Sequence, residues 1–263
     1  MWNRELEAAK NIAVKAGEEI LKIYDNADIG VEYKKDHSPL TIADKRANKV
    51  ILEDLRNHFP TYAILSEEEK DDKARLDNDY CFVVDPLDGT KEFIKRNGQF
   101  TVNIALAYQH ESVMGVIYAP VTGALYYGAR GYGAFLQSSD GNVRRLSVSD
   151  NRDLSAIRVV MSSSHGCKQM DDLIEKYQLT NLVKAGSSLK GCMIAEGKAD
   201  VYYRFNPTME WDTAAMQCIV EEAGGIFKQM DDTVMYYNRE NSLNEKGFYI
   251  ISHADIALHQ QVC

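Results

Sequence analysis

Cys81-Phe82-Val83-Val84-Asp85-Pro86-Leu87-Asp88-Gly89-Thr90-Lys91-Glu92-Phe93-Ile94 is the stretch on which the reading of this chain turns. The apolar run Phe82-Val83-Val84 reads as a buried strand. It runs directly into two aspartates separated by Pro86 and Leu87. Gly89 permits a tight turn, and Thr90 opens a short helix over 91–94. Carboxylates at the end of a strand hold a hard cation such as magnesium. The free backbone N–H groups of a helix start suit a phosphate oxygen. An ordinary Asp-Gly surface turn fits the same residues, and the segment by itself does not separate the two.

Other acids stand in comparable places. Ser66-Glu67-Glu68-Glu69 follows the short apolar strand Ala63-Ile64-Leu65, again putting carboxylate at a strand end. A solvated charge run accounts for Glu69 better than for Glu67. Trp211-Asp212 opens an amphipathic helix carrying Ala214, Ala215, Cys218 and Ile219, although an acid in a first turn also suits the helix dipole. Asp44 lies on a helix expected over 41–58, capped by Thr41, where a plain surface charge is the simple alternative. A calcium EF-hand is excluded by spacing: with Gly89 at loop position six, Val84 and Lys95 fall where acids are required. No GxxxxGK[ST] and no GxGxxG occurs, so neither a P-loop ATPase nor a dinucleotide-binding dehydrogenase is indicated.

Working outward, residues 5–24 read as an amphipathic helix with Leu6, Ala9, Ala13, Ala16, Ile20 and Ile23 on one face. Between 62 and 136 the pattern is of strands separated by Pro120, Gly123 and Gly128, which implies a largely antiparallel sheet. Beyond about 150 strands and helices alternate: strands over 157–161, 201–203 and 248–252, helices over 170–177, 188–196 and 210–222, and a short C-terminal helix. The expectation is an α+β fold with an α+β part over 1–150 and an α/β part over 151–263, joined in one compact unit.

The 263 residues carry a net charge of −9, which makes a poor binder of polymeric nucleic acid. No run approaches the roughly 20 apolar residues of a membrane span, and residues 1–20 lack the apolar core of a signal peptide, so a cytoplasmic enzyme is expected. Five cysteines stand singly, Cys81, Cys192 and Cys218 in apolar runs, which reads as core packing and not a disulfide framework. The six histidines form no zinc motif.

Taken together, the Glu-Glu pair after a strand, Asp85-Pro86-Leu87-Asp88-Gly89-Thr90 and the downstream Trp211-Asp212 resemble the inositol monophosphatase superfamily. Within it, Lys35 to Asp44, Asp85 to Leu106, Gly186-Ser187-Ser188-Leu189-Lys190, Arg204 to Thr208 and Arg239 to Asn244 look like 3'(2'),5'-bisphosphate nucleotidases of the CysQ type. That resemblance implies a layered αβαβα sandwich and magnesium-dependent hydrolysis of adenosine 3',5'-bisphosphate to AMP and phosphate, linked to sulfate assimilation. It implies lithium sensitivity, and it allows a peripheral place on the inner face of the cell membrane. By position, Glu67, Asp85, the Leu87 carbonyl, Asp88 and Asp212 match the metal ligands. Asp44, Glu67 and Thr90 match the groups that activate and orient the attacking water. One departure is that relatives carry Arg between two serines before the histidine of Ser162-Ser163-Ser164-His165.

Four carboxylates in one pocket repel a phosphate, so at least two Mg2+ ions are expected to reverse the local charge. Glu67, Leu87, Asp88, Gly89, Thr90 and Asp212 are then expected around the phosphate being removed. Ser187, Ser188 and Lys190 are expected at a second anionic group such as a 5'-phosphate, with Arg204 and Arg239 as further candidate cations. The alternative enzyme is an inositol or sugar monophosphatase with the same metal core. A non-catalytic nucleotide sensor would not need every chemical position intact.

Overall fold

The computed structural model describes residues 2–26, 30–33, 39–163 and 166–258. Part of the expected Lys35–Asp44 match, together with Ser164 and His165, lies outside the described residues. The helices are α1 Asn3–Tyr24, α2 Ile42–His58, α3 Thr90–Ile94, α4 Lys168–Tyr177, α5 Leu189–Ala195 and α6 Glu210–Glu222. The strands are β1 Glu32–Tyr33, β2 Pro39–Leu40, β3 Ala63–Ser66, β4 Tyr80–Asp88, β5 Thr101–Tyr108, β6 Glu111–Ala119, β7 Ala124–Ala129 and β8 Gly133–Gln137. They continue with β9 Val143–Arg145, β10 Arg158–Ser162, β11 Asn181–Ala185, β12 Val201–Arg204, β13 Thr208–Met209, β14 Ile226–Gln229, β15 Leu243–Asn244 and β16 Phe248–Ile251.

Seven strands in the order β3-β4-β5-β6-β7-β8-β9 form one sheet, antiparallel except for the parallel β3–β4 pair. Five strands in the order β11-β10-β12-β16-β14 form a second, mixed sheet. The apolar face of α1, with Leu6, Ile12, Ala16 and Ile20, packs with α2 on the outer face of the large sheet, against Phe82, Ile104 and Val116. Two glycines show how tightly the layers meet on β6. A Cβ at Gly17 of α1 would sit 2.4 Å from the Tyr118 ring. A Cβ at Gly115 would sit 2.3 Å from the Ala215 carbonyl oxygen of α6. The inner core joins Val83, Ala105 and Ile117 of the large sheet to Ile194 of α5, Ile219 of α6 and Ile250 of the small sheet. On the far side, Met170 and Leu173 of α4 meet Val159, Tyr203 and Tyr249. The order of layers is therefore αβαβα, as expected. One cluster contains residues from both the expected 1–150 and 151–263 parts, so these share a core.

Several elements depart from expectation. β4 does not stop at Val84; it continues through Pro86 to Asp88, with a bulge in its pairing between Asp85 and Asp88. Proline lacks the N–H a regular ladder needs, and a bulge is where a sheet tolerates it. Strands β9, β11 and β14 were not read from the sequence. They are edge strands whose positions are mostly exposed in β9 and β11 and half-buried in β14, so they lack a buried apolar run. The C-terminal helix is a single 3-10 turn, Ala254–Ile256. Cys81, Cys192 and Cys218 are buried, and the four described cysteines are free thiols. Among the described residues no helix is long and apolar enough to cross a membrane.

Candidate active site

The bulge at the end of β4 sets the site. Asp85 lies opposite Asn103 of β5, and Asp88 opposite Thr101, with Pro86 and Leu87 arched between them. Asp85 is 1% exposed and its Oδ1 accepts the Leu87 N–H at 3.1 Å. Gly89 follows at φ +95°, in the left-handed region. A Cβ there would also stand 3.2 Å from the Gln99 carbonyl oxygen and 3.3 Å from the Ser187 Cβ. The Gly89 carbonyl accepts Phe93 N–H, which starts α3.

Asp212 arrives from the first turn of α6, where its Oδ2 caps the helix by accepting the Met209 N–H at 2.7 Å. The carboxylates of Asp85, Asp88 and Asp212 then come together, each offering an oxygen within 4.8 Å of the others. Glu67 lines the same cleft from the end of β3 and lies outside that trio. It is held against β4 by its backbone N–H, which donates to the Val84 carbonyl at 3.1 Å. Its neighbour Ser66 donates to Asn48 of α2, and Asn48 donates to the exposed Glu69.

Asp44 is not a surface charge: it is 2% exposed. Its Oδ2 accepts the N–H and hydroxyl of Thr41 in a reciprocal capping box, so Thr41 caps α2 as expected. Its Oδ1 accepts the Thr90 hydroxyl at 3.2 Å. The same hydroxyl lies 3.4 Å from the Leu87 carbonyl oxygen.

The electrostatics follow from this crowding. Burial, and then the charges of Glu67, Asp88 and Asp212, push the Asp85 carboxyl well above its usual range. Burial and then Asp88 raise Asp212 to about 7. Burial also raises Asp44, against the pull of its bonds from Thr41. Carboxylates this close repel one another until a cation is supplied. A donor set made only of carboxylate and carbonyl oxygen suits Mg2+, which takes oxygen ligands and shares them with substrate phosphate. The residues present therefore fit the magnesium that the resemblance implies.

The positions expected at a second anionic group behave differently. Ser188 lines the cleft and directs both its N–H and its hydroxyl to Asp88 Oδ2, each at 2.7 Å, so it also holds a carboxylate. Ser187 sits at φ +46°, and its buried hydroxyl has no partner. Lys190 lines the cleft as a buried side chain and not as a solvated surface cation. It is 7% exposed and its ammonium donates to the Ser187 carbonyl at 2.5 Å. Burial pulls its pKa down. Arg239, by contrast, is not among the cleft-lining residues; its guanidinium donates to Glu210 at 3.1 Å and to Asn244. Arg204 does line the cleft, and its buried Nε has no partner. Ser163 donates to Gln99 at 3.2 Å. Sequence reasoning missed Asn103, a buried amide that donates to Asp88 Oδ2 at 3.2 Å and to Ser188 Oγ at 2.9 Å. A polar residue in the apolar alternation of β5 was the available signal.

Fold and site together define a layered αβαβα protein with a cluster of carboxylates, suited to a hard cation, at a strand bulge. The inositol monophosphatase family sequence model matches residues 2–261. The 3'(2'),5'-bisphosphate nucleotidase CysQ of Salmonella typhimurium is 42% identical over 249 residues, covering 93% of this chain and 98% of that protein. The CysQ nucleotidase of Escherichia coli K12 is 37% identical over 247 residues, covering 93% and 98%. The crystal structure of CysQ from Bacteroides thetaiotaomicron superposes with a TM-score of 0.83 at 42% identity, covering 95% of this chain and 97% of that one. The chain belongs to the inositol monophosphatase family, a family of phosphoric monoester hydrolases.

Proposed function

We propose that the chain is a magnesium-dependent 3'(2'),5'-bisphosphate nucleotidase that hydrolyses adenosine 3',5'-bisphosphate to AMP and phosphate, with at least two Mg2+ ions. The observation that carries this reading is the convergence of Asp85, Asp88 and Asp212 within 4.8 Å beside the Thr90–Asp44 hydrogen bond. The 42% identity to a CysQ nucleotidase over most of both chains supports the nucleotide as substrate. A cytoplasmic place of action, a link to sulfate assimilation and sensitivity to lithium rest on the resemblance.

Asp85, Asp88, Asp212 and Glu67, with the Leu87 carbonyl, would hold the cations. When bound, divalent cations neutralise the pocket, acidify a coordinated water and stabilise charge on the leaving oxygen. The chain does the rest. Glu67 and Thr90 orient the attacking water toward phosphorus. Thr90 Oγ1 takes the proton of that water as it passes its own to Asp44 Oδ1. Thr41 fixes the other oxygen of Asp44, so the accepting oxygen faces Thr90. The N–H groups of Gly89 and Thr90 orient a phosphoryl oxygen. The phosphorus–water oxygen bond forms as the bond to the 3'-oxygen breaks, and that oxygen takes up a proton from solvent to become the 3'-hydroxyl of AMP.

The metal end of the cleft sees only the phosphate being removed. Choice between a nucleotide and an inositol phosphate must come from the far end. Lys190 already donates to the Ser187 carbonyl, whereas the Nε of the cleft-lining Arg204 has no partner, which makes Arg204 the favoured cation for a second phosphate. The test is phosphate release compared for adenosine 3',5'-bisphosphate, inositol 1-phosphate and fructose 1,6-bisphosphate.

A further inference from the structure

Along β5, Val102, Ile104 and Leu106 pack into the core beneath α1 and α2, while Ala105 and Ala107 face the inner core. Strand alternation therefore puts Thr101 and Asn103 on the inner face, toward the acids and α5. Asn103 is 2% exposed, and both ends of its amide are engaged. Its Oδ1 accepts the Thr101 hydroxyl at 2.9 Å, which sets which way the amide points. Its Nδ2 donates to Asp88 Oδ2 at 3.2 Å and to Ser188 Oγ at 2.9 Å. Ser188, having received that hydrogen bond, turns its own proton onto the same Asp88 oxygen, to which its backbone N–H also donates. Three donors thus converge on Oδ2 of one carboxylate.

We propose that Asn103, fixed by Thr101 and coupled to Ser188, is a positioning residue that locks Asp88 so that its other oxygen, Oδ1, is presented to the cation. The inference rests on the metal-site reading above. The physical need is clear from the neighbours. Asp88 lies among Asp85 and Asp212, whose like charges would turn it aside in the absence of a cation. Donors on Oδ2 oppose that rotation and pay the orientational cost before the metal arrives. Partners of metal-binding side chains act in this way generally, and removing them typically costs about ten- to a hundred-fold in metal affinity. Ser188 comes from the part of the chain after residue 150 and Asn103 from the part before it, so the lock also ties Asp88 to both.

The test is calorimetric titration of the purified full-length chain with Mg2+. Two variants are compared with wild type and with Asn151→Ala, which loses a hydrogen bond to Asp200 away from the cleft. Asn103→Leu removes all three amide interactions at similar volume. Thr101→Val keeps the shape and β-branching and removes only the hydroxyl that orients the amide. The expected result is a Mg2+ Kd raised about ten-fold or more by Asn103→Leu and at least about three-fold by Thr101→Val, with Asn151→Ala unchanged. The magnesium requirement for turnover should rise in parallel, while kcat at saturating magnesium stays within about three-fold. If Asn103→Leu does not fold, Thr101→Val decides by its own threshold. Variants that bind Mg2+ like wild type overturn this inference and leave the metal site standing. A wild-type chain that takes up no Mg2+ overturns both.

Discussion

The Thr90 hydroxyl donates to Asp44 Oδ1 at 3.2 Å, joining the first residue of α3 to the first turn of α2 across 46 positions of sequence. Each partner is fixed by the way its helix begins: Asp44 by the Thr41 capping box, Thr90 by the left-handed turn at Gly89.

If this pair moves the proton of the attacking water, its loss should reduce kcat without loosening the metal. General-base catalysis typically contributes about 10²- to 10⁴-fold. Thr90→Ala and Asp44→Asn should each lower kcat by at least about a hundred-fold, with Mg2+ affinity within a few-fold of wild type, and Thr90→Ser should retain most activity. A Thr90→Ala enzyme with near-normal kcat would remove Thr90 from the proton path.

The acid cluster predicts a pH signature in the metal-free chain. Asp85 and Asp212 have folded-state pKa values above their unfolded values, Asp212 reaching about 7. Between about pH 4 and about 7 the folded chain therefore holds more protons than the unfolded one, so stability falls as pH rises through that window. Thermal unfolding in EDTA should show this cluster lowering Tm from pH 5 to pH 8. Asp212→Asn should flatten the slope, and added Mg2+ should raise Tm more at pH 8 than at pH 5. A magnesium shift that is larger at pH 5 would contradict the assignment.

Asp88→Asn should cut activity by orders of magnitude while the metal-free chain unfolds no lower than wild type, because one of the mutually repelling charges has gone. Near-normal turnover of the purified variant at saturating magnesium would show that Asp88 is not a ligand.

Lys190 and Arg204 should separate. The Lys190 ammonium holds the carbonyl of Ser187, a residue with positive φ, one residue before the Ser188 that grips Asp88. Lys190→Ala should therefore lower Tm and reduce hydrolysis of a bisphosphate and a monophosphate alike. Arg204→Gln should act on the bisphosphate alone. A lost charge-assisted hydrogen bond costs about 1.5–3 kcal/mol, or roughly ten- to a hundred-fold in kcat/KM. Comparing adenosine 3',5'-bisphosphate with inositol 1-phosphate for both variants checks this, and an equal loss on both substrates for Arg204→Gln would leave it no part in substrate choice.

Much of this was legible in the residues because it is local. An apolar strand ending in Asp85 and Asp88, a glycine that must turn and a threonine before Asp44 follow from spacing and turn chemistry. The layer order came from resemblance, since no spacing says which helix covers which face. What stayed hidden depends on tertiary partners. Lys190 looks like a substrate cation in sequence because nothing there shows Ser187 folding its carbonyl back toward it. Asn103 looks like an oddity in a strand because Asp88 reaches it only through the pairing of β4 with β5, and Ser188 only when the later part of the chain packs against the earlier. The edge strands β11 and β14 escaped for the opposite reason, having too little burial to leave a pattern.

The most direct test of the central claim is phosphate release by the purified chain from adenosine 3',5'-bisphosphate, with and without Mg2+, set against inositol 1-phosphate at the same concentration. The account predicts release that requires Mg2+, is abolished by EDTA, yields AMP and is faster for the bisphosphate. Equal or faster release from inositol 1-phosphate, or AMP formation that persists in EDTA, would contradict it.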